Sequence, residues 1–123
     1  MHLVNNDLFS IDEITHDDGA IRATLNIDAE NAIFRGHFPG QPVVPGACML
    51  QIVKEILEVG LKQSLRLKKA DQLKFLTMID PTNTPSMQLE IAYKQLDENT
   101  ISATAKLLNG EIVCFKFQGT FSK

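Results

Sequence analysis

The sequence predicts an α+β domain in which a curved antiparallel sheet wraps around one long central helix. Three observations lead there. The stretch from Ala47 to about Ser64 has no proline and is apolar around most of a helical circumference. A segment of strict alternation precedes it, from Ala20 to Asp28. Four further segments follow it, separated by short turn signals. A chain of 123 residues fits one domain, 1–123, and is long enough to bury a real core.

Taken in order, Leu3 to Ile14 mixes apolar and acidic residues and suits either a short helix or a strand. Ile21, Ala23, Leu25 and Ile27 then point one way, with Arg22, Thr24 and Asn26 the other, as in a half-buried strand. Gly36 to Gly46 holds three prolines and three glycines in eleven residues, which excludes a helix or a central strand. On the helix that follows, Gln51, Lys54, Glu55, Glu58 and Lys62 share one narrow stripe at about 100° per residue. The rest is Ala47, Leu50, Ile52, Val53, Ile56, Leu57, Val59 and Leu61. A helix this apolar must be largely surrounded. Glu55 and Glu58 read as a solvated stripe paired with Lys54 and Lys62.

Gln72 to Ile79 is the next expected strand, followed by a breaker from Asp80 to Pro85. Met87 to Leu96 and Ile101 to Leu107 alternate on either side of a turn at Asp97-Glu98-Asn99. Asn109-Gly110 is a two-residue hairpin signal. Val113, Phe115, Phe117 and Phe121 line one face of a last strand. One sheet covering one helix leaves edges open, so a homodimer or higher homo-oligomer is expected.

Composition narrows the function classes. A net charge of −3 argues against nucleic acid as the partner. Cys48 and Cys114 stand far apart in apolar runs, as buried reduced thiols do. No metal-ligand spacing is present, and no cofactor motif either: Gly36-x-x-x-Gly40 lacks the lysine of a phosphate loop. The N-terminus lacks a positive region followed by an apolar stretch, and no apolar run approaches the roughly 20 residues of a membrane span. A cytoplasmic protein that does not enter the membrane is expected.

The loop carries the chemistry. His37-Phe38-Pro39-Gly40-x-Pro42-x-x-Pro45-Gly46 resembles the active-site signature of the hot-dog-fold dehydratases of the FabA/FabZ type. That family acts on 3-hydroxyacyl chains carried by acyl carrier protein. The strong similarity runs from about Phe34 to Ile56, and Leu73-Lys74-Phe75-Leu76 resembles the family weakly. Removing a proton next to a thioester carbonyl and expelling the hydroxyl as water needs a base and a donor to the thioester oxygen. The imidazole of His37 suits the base role near neutral pH. Gly46 opens the helix, whose free N–H groups and dipole suit a carbonyl gathering negative charge. Having no side chain, Gly46 also admits the thioester closely. The resemblance implies these same roles, with the Phe38 backbone as a second contact and a phosphopantetheine-linked acyl chain on acyl carrier protein as partner. His2 and His16 have no partners at meaningful spacing and read as surface residues.

The resemblance breaks at one position. The family places a Glu or Asp fourteen residues after the histidine, contributed from the neighbouring subunit, and here that residue is Gln51. A glutamine amide can orient a hydroxyl but cannot donate and recover a proton. Either Gln51 orients while His37 makes both proton transfers, or the chain is an acyl-binding partner without turnover. Replacement of the acid by Glu55, about 6 Å further along the helix axis, strains a geometry sensitive to 1 Å. A thioesterase on the same fold usually relies on a carboxylate, which counts against that alternative. Lys62, Arg66, Lys68 and Lys69 form a run free of acidic residues up to Ala70. The run suits both an acidic carrier protein and a helix C-terminus.

Overall fold

The computed structural model describes residues 9–28, 46–80 and 86–123. Six strands and one helix follow one another as β1 (Phe9–Asp17), β2 (Ala20–Ile27), α1 (Gly46–Leu61), β3 (Arg66–Phe75), β4 (Ser86–Gln95), β5 (Thr100–Asn109) and β6 (Ile112–Ser122). All pairings are antiparallel, in the order β1-β2-β4-β5-β6-β3. This is the expected curved sheet about one helix.

The alternation read in β2 holds: Ile21, Ala23, Leu25 and Ile27 are all buried. Opposite them, Met87, Leu89 and Ile91 of β4 and Ile101, Ala103, Ala105 and Leu107 of β5 face the same core. From β6 come Phe115, Phe117 and Phe121. Cys48, Met49, Ile52, Val53, Ile56 and Leu57 of α1 fill the space against them. At Gly60 the helix lies close on β2: an added Cβ would stand 2.4 Å from Cδ1 of the fully buried Ile21. Enclosure of the helix is incomplete, since Val59 near its end is exposed.

Three sequence expectations shift. In the ambiguous N-terminal segment the described part, from Phe9, is strand, and β1 runs on to Asp17; Leu3 to Leu8 lie outside the described residues. The strand is joined to β2 by the two-residue turn Asp18-Gly19, with Gly19 at φ 79°. The second hairpin falls one residue later than read: Asn109 pairs with Ile112, so the turn is Gly110-Glu111, with Gly110 at φ 61°. The expected strand Gln72–Ile79 is instead Arg66–Phe75. Its basic N-terminal half carries no alternation, and pairing with β6 rather than burial makes it a strand: every one of its residues is exposed. Register irregularities between Leu67 and Lys69 and between Ala70 and Gln72 erase the period of two. Between them the Lys69 carbonyl lies so near β6 that a Cβ at Gly119 would stand 2.3 Å from it.

The expected turn at residues 97–99 is present. The Asn99 N–H donates to Asp97 Oδ1 at 2.8 Å, and this bond holds the Asp97 carboxyl below its ordinary range. His16 is exposed as read, but it has a partner across the sheet, the Tyr93 hydroxyl.

Helix α1 ends without the usual glycine. Lys62 takes a left-handed conformation at φ 56°, and the Gln63 N–H donates to the Glu58 carbonyl at 3.3 Å. This is the closure in which glycine is preferred, because a Cβ is strained there. Lys62→Gly is therefore expected to raise stability by roughly 0.5–1 kcal/mol. Urea unfolding measures it, and an unchanged or lowered midpoint would count against a strained cap.

Candidate active site

The residues expected to form the site divide at position 46. His37 and Phe38 lie outside the described residues; Gly46 and Gln51 lie within them, both on α1. Gly46 is the first residue of the helix. In the opening turn the N–H groups have no intrahelical acceptor and the dipole presents its positive end. That is the local chemistry a carbonyl oxygen gathering charge requires.

Phe75, the last residue of β3, lies directly against this turn. A Cβ on Gly46 would stand 2.8 Å from Phe75 Cε1 and 2.9 Å from Cζ. The ring is steadied by Phe115, with centroids 5.1 Å apart at 31°. Beyond the strand, the Leu76 and Thr77 N–H groups both donate to the Cys114 carbonyl, at 2.9 and 3.2 Å. Even so, Phe75 remains 56 % exposed, and Leu73, Leu76 and Met78 are exposed with it. The weak family likeness at residues 73–76 was the only trace of this arrangement in the sequence, since an isolated phenylalanine in a basic strand carries no periodic signal.

Gln51 is half-buried, about 7.5 Å along the helix axis from Gly46. The stripe that contains it is not uniformly solvated, which corrects the reading of Glu55. That carboxylate is 1 % exposed, the one acidic or basic side chain so buried among the described residues. Glu58 keeps the expected pairing with Lys54 but is half-buried rather than solvated: Oε1 pairs with Lys54 Nζ at 3.3 Å while Oε2 accepts the Leu65 N–H at 2.7 Å. Glu58 therefore ties the helix end to the start of β3. Lys62, Arg66, Lys68 and Lys69 are all exposed, and Lys69 pairs with Asp71 at 3.3 Å.

Cys48 lies in the first helical turn, where a thiolate is normally favoured. It is buried, however, and burial pushes its thiol up, as it does that of Cys114. Among the described residues no cluster of His, Cys, Asp and Glu could hold a metal ion, and no helix is long and apolar enough to cross a membrane.

One helix in a six-stranded antiparallel sheet, with a glycine opening the helix beside the last residue of an edge strand, is the hot-dog fold. The chain belongs to the ApeI-like family of ApeI dehydratases, whose sequence model matches residues 13–114. The 3-hydroxyacyl-acyl-carrier-protein dehydratase FabZ of Haemophilus influenzae is 28% identical over 102 residues, covering 76% of this chain and 68% of the relative. FabZ of Levilactobacillus brevis is 26% identical over 118 residues, covering 90% and 78%. Among solved structures, the dehydratase heterocomplex ApeI:P from Xenorhabdus doucetiae matches with a TM-score of 0.72 at 17% identity, covering 92% of this chain and 96% of that one. A mutant thioesterase from Pseudomonas aeruginosa matches with a TM-score of 0.66 at 12% identity, covering 91% and 79%. These two likenesses are of fold.

The contact at Gly46 differs in kind from that at Gly119. The ring facing Gly46 ends a side chain with open space beside it, whereas Gly119 faces a backbone carbonyl. Gly46→Ala is thus expected to swing Phe75 away from Phe115 while changing stability by less than about 1 kcal/mol. Gly119→Ala is expected to cost about 1–3 kcal/mol, as overpacking does. Urea unfolding together with aromatic NMR shifts of Phe75 and Phe115 checks both; equal costs at the two sites would refute the distinction.

Proposed function

We propose that this chain dehydrates a 3-hydroxyacyl thioester on acyl carrier protein to the trans-2-enoyl thioester, in fatty-acid or related acyl-chain biosynthesis. The observation that carries the reading is Gly46 at the head of α1, closing the His37–Gly46 motif in a chain of the ApeI-like dehydratase family. The thioester carbonyl accepts from the helix-opening backbone at Gly46 and from the Phe38 backbone. His37 takes the proton from the carbon next to the carbonyl, and the electron pair forms the double bond. The 3-hydroxyl leaves with that same proton as water, oriented by Gln51 from a partner chain. His37 makes both transfers because an amide cannot supply a proton.

A homodimer fits this chemistry. Among the described residues β3 pairs on one side only, with β6, and its end carries Leu73, Phe75, Leu76 and Met78 in the open. A second copy laid along that edge would cover them and satisfy the free backbone groups. Arg66, Lys68 and Lys69 of the basic run belong to the other half of β3, Lys62 follows the helix, and the run suits an acidic carrier protein.

Gln51 favours one other reading: a partner subunit that binds acyl chains while another chain supplies the acid. The FabZ relatives and the ApeI:P heterocomplex support a dehydratase setting for either. His37→Ala is expected to lower turnover of a 3-hydroxybutanoyl carrier substrate by at least about 10²-fold, the scale of a lost general base. Full retained activity would remove His37 from its role. Gln51→Glu separates the two readings: a silent wild type that gains activity with this change is a partner subunit, whereas an active wild type is a dehydratase in its own right.

A further inference from the structure

The ring of Phe75 occupies the space that a side chain at Gly46 would take. Resting on Gly46, it borders the first-turn backbone where the thioester carbonyl is placed above. Phe115 supports it from one side, through centroids 5.1 Å apart. The residue is otherwise 56 % exposed, and Leu73, Leu76 and Met78, its neighbours in sequence, are exposed as well. An acyl group whose carbonyl reaches the Gly46 N–H therefore meets an aromatic wall beside the carbon next to that carbonyl. A plain methylene there passes an aromatic face at van der Waals distance. A methyl branch at the same carbon needs the volume the ring fills.

We propose that Phe75 is a specificity-determining residue: packed between Gly46 and Phe115, it selects 3-hydroxyacyl thioesters unbranched next to the carbonyl and rejects those carrying a methyl group there. The inference rests on the reading of Gly46 as the thioester site and adds to it the class of acyl group admitted. Discrimination by one methyl group in an apolar pocket runs from about 10- to 200-fold, so a single wall of this kind is sufficient. The ring needs no new contact to act. It acts by filling space, which is why leucine, smaller and flexible, is an intermediate replacement.

The test compares 3-hydroxybutanoyl and 2-methyl-3-hydroxybutanoyl pantetheine thioesters with the full chain, its Phe75→Leu variant and its Phe75→Ala variant. The ratio of kcat/KM for branched over unbranched substrate is expected to rise at least about ten-fold in Phe75→Ala, with Phe75→Leu between. A general loss of order would depress both substrates and leave the ratio unmoved. A ratio within two-fold of wild type in both variants overturns the proposal. Should the wild type turn over neither substrate, the dehydratase reading fails on its own. Binding of the butanoyl and 2-methylbutanoyl pantetheine amides, in which nitrogen replaces sulfur, then reads the wall directly. Calorimetry showing the same affinity ratio in wild type and Phe75→Ala overturns it there too.

Discussion

Everything in this molecule depends on the enclosure of α1. A helix with Cys48, Met49, Ile52, Val53, Ile56 and Leu57 directed inward cannot stand in water, and a flat sheet would cover only one side of it. The sheet curves, and α1 touches β2, β4 and the far-edge strand β3. Gly60 marks how close the fit is, with the fully buried Ile21 in the volume a side chain there would claim. The head of the helix is fixed by that same packing. Position of the site and integrity of the core are thus one constraint, because the residue that opens the helix is also the one expected to meet the thioester.

The constraint explains how charge is distributed. The polar stripe of α1 is where the enclosure is thinnest, yet only part of it reaches water. Glu55 is drawn inside, while Glu58 is held at the boundary by Lys54 and the Leu65 N–H. A periodicity argument places these two side chains on one face and cannot tell them apart, since a difference of 60° in helical angle decides which side of the sheet's rim each falls on.

Legibility followed the same division. Strands β2, β4, β5 and β6 alternate because one face is core and the other solvent, and their faces could be read, except at the β5–β6 irregularity, where Cys114 is buried beside Phe115 and Val113, read as facing the core, is half-buried. β3 could not be read this way, since an edge strand exposed along its length and broken by two irregularities imposes no pattern on its residues. Asp18-Gly19 is a two-residue hairpin signal, and it marks the segment before β2 as a strand paired with it. For the site, only the helix end of the His37–Gly46 motif can be compared: Gly46 opens α1, as read, while His37 and Phe38 lie outside the described residues. The contribution of Phe75 was not legible, because it arises from two elements meeting in space.

The placement of β3 has a consequence for how the chain reaches this state. β4, β5 and β6 are joined by short turns and can pair as soon as they are made. β3 must find β6 across the intervening β4 and β5: Phe75 pairs with Phe115, a separation of 40 residues, and Arg66 with Ser122, a separation of 56. The entropy of closing such a loop has to be met before the pairing returns anything. The meander is expected to form early and the edge beside Gly46 late. By the same measure β2, whose pairs with β4 span 60 to 72 residues, also joins late, so newly made chains would pass through a stage with the β4-β5-β6 meander paired and the edge beside Gly46 still unformed.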